Sequence, residues 1–226
     1  MTSRRNAVLA LLLIVPVPSL GVIAAMVAAP GPLGKTVFLV AKIWLVLFPA
    51  AWYLIVEHGR QSWSPPRKGG LGVGALSGLA FLAAIVAGAW LMGVRTMDMA
   101  PLRFAVEEMG LGTPGAYLAA AAGWTLVNSL MEEYVYRWFV LRQSEQLFSA
   151  TWAILMSAAV FTLHHIIAVS QYLNPLHTVL ASAGVFIGGV IWAWLYWRYR
   201  SIWPGWISHV LADIAVFGVG WWLLFG

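Results

Sequence analysis

The chain has 226 residues, 62% hydrophobic and 9% charged, against about a quarter charged in an ordinary soluble domain. With no cysteine it can form no disulfide, thiolate nucleophile or cysteine-ligated metal site, and the redox compartment stays open. The net charge of +5 comes from short basic clusters between apolar runs, a pattern of membrane topology and not of nucleic-acid binding.

A membrane-spanning helix takes roughly 20 mainly apolar residues. In chain order such runs cover residues 7–28, 33–56, 71–94, 114 to beyond 131, 151–170, 177–197 and 203–225. They predict an all-α polytopic bundle of about seven transmembrane helices, forming one membrane-embedded domain over residues 1–226. The first run follows Arg4 and Arg5 as a signal peptide would, but exceeds the 7–15 apolar residues of such a segment. Pro16 and Pro18 should kink it. With the N-terminus in the cytoplasm, Arg4, Arg5, Arg60, Arg67, Lys68, Arg142, Arg198 and Arg200 fall inside, and Lys35, Arg95 and Arg103 outside. Seven spans then put the C-terminus outside. Lys42 lies within the second span and is expected to snorkel or face the bundle.

Two connections have some length. Residues 57–70 form a polar, basic loop suited to lipid headgroups, with His58 solvated. Residues 95–114, with Glu107 and Glu108, read as a solvated loop or short interfacial helix. His177 after Asn174-Pro175 fits a helix cap, and the aromatics from Trp192 to Trp206 fit an interfacial belt.

Charged groups at membrane depth are costly and usually functional. Glu132, Glu133 and Arg137 interrupt the fourth run, His164 and His165 the fifth, and His209 and Asp213 the last. On a helix Glu133 and Arg137 are i,i+4 neighbours and should neutralise each other, leaving Glu132 for chemistry beside Asn128 and Tyr136. Phe161 shares a face with His165, His164 is rotated away toward a structural role, and Asp213 can support His209. Counting rise per residue puts Glu132 and His165 roughly 18–24 Å, and His209 about 13 Å, from the cytoplasmic turns, so one cavity can hold all three. A carboxylate in an apolar site suits a general base on water, and nearby imidazoles can orient the water or stabilise an oxyanion. One Glu and two His can instead hold a catalytic zinc.

The ordered patterns Glu132-Glu133-x-x-x-Arg137, Phe161-x-x-x-His165 and His209-x-x-x-Asp213 resemble the EExxxR, FxxxH and HxxxN/D motifs of the CAAX protease and bacteriocin-processing family. The resemblance implies an intramembrane endopeptidase whose catalytic core covers about residues 114–226. Glu132 would activate water with His165, and His209 and Asp213 would stabilise the oxyanion, with Glu133, Arg137, Phe161 and Asn128 in support. It further implies a hydrophobic peptide or membrane-protein substrate, membrane-associated or of the prenylated type, at an inner or plasma membrane. No cofactor is expected; the alternative is zinc held by Glu132, His165 and His209. The competing functions are a family member that sequesters a hydrophobic peptide, as a bacteriocin self-immunity factor does, and a proton-coupled transporter. There is no His-Glu-x-x-His, no Gly-x-Ser-x-Gly and no second intramembrane aspartate, which sets aside other intramembrane proteases.

Overall fold

The computed structural model describes residues 3–96 and 98–226, without the side chain of Arg95. Its helices are α1 (Arg4–Ala28), α2 (Pro32–Val56), α3 (Leu71–Leu91), α4 (Ala100–Glu108), α5 (residues 114–144), α6 (Ala150–Val169), α7 (Pro175–Tyr199) and α8 (Trp203–Phe225). All but α4 and α5 are long and apolar enough to cross a membrane, six in all among the described residues. The seventh expected span is α5, long enough but too polar by composition because it carries Asn128, Glu132, Glu133, Arg137 and Arg142. It is threaded among the others, and residues 133, 135–137 and 139–141 are fully enclosed by protein. This is an all-α, membrane-embedded bundle.

Pro16 and Pro18 do not end α1. They fall in the first turn of its second segment, where missing N–H groups cost least, and the backbone at Val15 stays helical. Residues 133–141 of α5 wind as a π-helix. Such wide turns are rare and concentrate at functional sites. Within this π-helix the Tyr136 carbonyl accepts from Ser157 Oγ at 2.8 Å, which ties α5 to α6.

Four connections gather at one end of the bundle. Arg4 donates to the Leu147 carbonyl, Arg142 pairs with Glu57 at 3.1 Å, and Arg200 grips Glu145 with two bonds of 2.6 and 2.8 Å. The loop at 57–70 is not merely solvated. Ser201 Oγ and the Trp203 indole donate to the carbonyls of Ser64 and Trp63, pinning the loop over the α7–α8 turn. At the opposite end Arg103, on the short helix α4, donates to the carbonyls of Leu223 and Leu224. That is a favourable place for a cation, since the last carbonyls of a helix carry partial negative charge. His177 is capped by Asn174, whose Oδ1 accepts from the His177 backbone at 3.0 Å.

The tightest crossing joins α3 and α8. A Cβ on Gly74 would lie 2.2 Å from the Pro204 carbonyl oxygen, and one on Gly78 would lie 2.9 Å from Ser208 Cα. Small residues four apart permit this approach, as at many membrane helix pairs. Apolar side chains of Leu11, Ile14, Leu45, Val135, Phe139, Val160, Phe161, Trp192 and Leu195 fill the centre.

Candidate active site

α5, α6 and α8 bring the three motifs together. Glu132 is buried at 6% exposure, with Oε2 3.6 Å from His209 Nε2. Asp213 Oδ1 lies 3.8 Å from that same nitrogen. On its other side, His209 Nδ1 lies 3.1 Å from Glu133 Oε1. Thus the carboxylate that takes His209 Nδ1 is Glu133, while Asp213 shares the Nε2 side with Glu132. The i,i+4 pair of Glu133 and Arg137 is present at 3.5 Å, with both side chains at 0% exposure. Glu133 therefore serves two partners through one oxygen. Sequence spacing exposes only the local one.

His165 donates Nδ1–H to the Phe161 carbonyl at 2.9 Å, because a carbonyl can only accept. This leaves its Nε2 as an acceptor. Phe161 is the hub of the site: its ring centroid lies 4.5 Å from that of His165, 5.9 Å from His209 and 4.6 Å from the Arg137 guanidinium carbon. His164 turns toward the site, not away. Its ring lies 4.1 Å from that of His165, and its Nδ1 is 3.1 Å from the Tyr136 hydroxyl. The face arithmetic of an ideal helix does not anticipate that convergence.

Beside Glu132 is a cavity lined by Pro18, Phe38, Lys42, Met131, Tyr136 and His164, among others. Its free space of about 20 Å³ suffices for one water-sized sphere. Of the two expectations for Lys42 the structure bears out the second: it faces the bundle, with Nζ 2.7 Å from Asn128 Oδ1.

Trp192 corrects a further expectation. It is no belt residue, being 5% exposed and stacked on the His209 ring at 3.8 Å between centroids. Its indole donates to Ser208 Oγ, which also receives Ser77 Oγ from α3, each at 3.0 Å. Its place one turn before the basic end of α7 made it look interfacial.

Gly205 lets α8 approach this cluster, since a Cβ there would lie 2.4 Å from Glu133 Oε2. Gly205→Ala should cost about 1–3 kcal/mol of stability through overpacking and reduce turnover by pushing Glu133 off His209. Thermal unfolding and initial rates check this; an unshifted melting curve would show that the carboxylate has room to move.

A zinc ion has a chemically suitable donor set in Glu132, His164 and His165, whose nearest ligand atoms all lie within 4.8 Å of one another. Both histidines direct Nδ1 elsewhere, to Phe161 and Tyr136, as metal-bound imidazoles commonly do. His209, expected in this set, is not among these three. Its nitrogens face Glu133 on one side and Glu132 with Asp213 on the other.

No curated protein and no solved structure matches the chain. Residues 114–215 match the family described as Type II CAAX prenyl endopeptidase Rce1-like. That segment runs from the start of α5 past Asp213 and includes every motif residue assembled above, while α1 to α4 lie outside it. The segment that carries the motifs is thus similar to the CAAX prenyl endopeptidases over residues 114–215.

Proposed function

We propose that the protein is a glutamate-dependent intramembrane endopeptidase that cleaves a hydrophobic, membrane-associated peptide of the prenylated type, with its N-terminus in the cytoplasm. The observation that carries this reading is the Glu132 carboxylate, buried with His209 3.6 Å away and bordering a water-sized cavity.

Glu132 takes a proton from water, oriented by the free Nε2 of His165, while the hydroxide oxygen adds to the scissile carbonyl carbon. His209 donates from Nε2 to the resulting oxyanion. Glu133 on Nδ1 fixes the imidazole, and Asp213 flanks the Nε2 that donates. The C–N bond then breaks as the proton held by Glu132 passes to the amine nitrogen. Water is consumed, leaving one carboxylic acid and one amine. Low dielectric and the exclusion of bulk water strengthen each interaction.

The donor set of Glu132, His164 and His165 favours a second reading, in which zinc supplies a polarised water at the same place. His165→Ala separates function from fold. It should lower turnover by about 10²–10⁴-fold with an unchanged melting temperature in detergent. Chelation followed by zinc addition distinguishes the readings: activity lost and regained with zinc overturns the metal-free mechanism, and activity indifferent to chelator sustains it.

A further inference from the structure

Lys42 lies in the middle of α2, outside the segment that matches the family. Its ammonium nitrogen is 2.7 Å from Asn128 Oδ1. Asn128 sits one helical turn before Glu132 on the same face of α5, and Lys42 and Glu132 line one cavity. An ammonium is only a donor, so it fixes which end of the amide it meets: Oδ1 faces Lys42, and Nδ2 is left to donate to Glu132. α2 is also held against α5 by the Tyr134 hydroxyl, which donates to the Val46 carbonyl at 3.1 Å. Lys42 also lines the cavity bordered by Glu132, Tyr136 and His164, with the Phe38 ring 5.4 Å from Nζ. A cation is costly to keep at such depth. This one is spent on the amide one turn before Glu132.

We propose that Lys42 is a positioning residue for the reaction: through Asn128 it holds the Glu132 carboxylate in the orientation that takes the proton from water. The inference rests on Glu132 as the base. It extends the working site beyond the family-matched helices, with α2 contributing directly to the geometry of the carboxylate.

The test uses the full chain in nanodiscs and a quenched fluorescent farnesylated peptide ending in a Cys-aliphatic-aliphatic-X sequence. Lys42→Met should lower kcat about 10- to 100-fold, the scale of a misplaced catalytic group, with KM little changed. Lys42→Arg should restore most of the rate. Combining Lys42→Met with Asn128→Leu should be no worse than Asn128→Leu alone, since residues acting in one line are not additive. A rise in KM with kcat preserved, or losses that multiply, overturns the proposal. If Lys42→Met does not accumulate, Asn128→Leu with and without Lys42→Arg tests the same non-additivity. A readout free of substrate is the infrared carboxylate band that disappears in Glu132→Gln. It should shift in Lys42→Met and stay in place in Lys42→Arg, and an unshifted band overturns the proposal. Full activity in Glu132→Gln would instead remove the proposed base, whereas an inactive Glu132→Gln beside a fully active Lys42→Met defeats the Lys42 inference alone.

Discussion

Glu132→Gln should lower kcat by about 10²–10⁴-fold, the range set by loss of a general base, while expression, membrane insertion and melting temperature stay near those of the parent. The substitution keeps the side chain's shape and removes only its capacity to take a proton. Its neighbours can adapt, because the new amide keeps an acceptor oxygen for a donor, and His209 can change tautomer to meet its other end. Turnover of a farnesylated peptide, measured beside a detergent melting curve, reads both halves of the prediction. Undiminished turnover would assign the proton transfer to another group, with Asp213 next in line at 3.8 Å from His209 Nε2. Replacing Glu133 by Gln differs in kind: it removes the negative charge that faces both His209 Nδ1 and Arg137 Nε, so it should impair stability and rate together.

How far the sequence reached depends on which contacts are local. Hydropathy located the apolar helices, and their order put Glu132, His165, His209 and Asp213 within reach of one another. Rise-per-residue arithmetic left His209 shallower than Glu132, yet the two side chains touch. The π-winding of residues 133–141 accounts for part of the gap, since wider turns advance less per residue, and no sequence signal announces it. The Glu133–Arg137 pair was legible because it lies within one helix. The Glu133–His209 contact spans 76 residues and was not. Trp192 was misjudged, and Lys42 left between two readings, for a related reason: a tryptophan near a basic helix end and a lysine in an apolar run look the same whether they face lipid or protein. Only packing tells them apart. Asn128 before Glu132 was the one hint that a polar line continued along α5.

Arg137→Met is expected to destabilise the protein by about 3–5 kcal/mol, the usual cost of breaking a buried ion pair by removing one partner. Arg137 is fully buried, and none of its three side-chain nitrogens finds a hydrogen-bond partner among the described residues. Its stabilisation comes from elsewhere. Glu133 Oε1 lies 3.5 Å from Nε, and the guanidinium carbon faces the rings of Phe161, Trp192 and Tyr136 at 4.6, 5.5 and 5.8 Å. A desolvated cation against an aromatic face gains about 2 kcal/mol or more, so the three rings and Glu133 together offset much of the burial. Methionine fills similar volume but leaves Glu133 as an enclosed anion with His209 as its remaining partner. Arg137→Lys keeps the charge but loses the planar group that lies over the rings, so it should fall between parent and methionine variant. The double variant Arg137→Met with Glu133→Gln should recover part of the loss, because the uncompensated charge is gone. Melting curves of the parent, Arg137→Met, Glu133→Gln and the double variant in one detergent test the argument as a cycle. Strict additivity would mean that the aromatic cage and not the ion pair holds this end of the site, and an Arg137→Met protein as stable as the parent would mean that neither does.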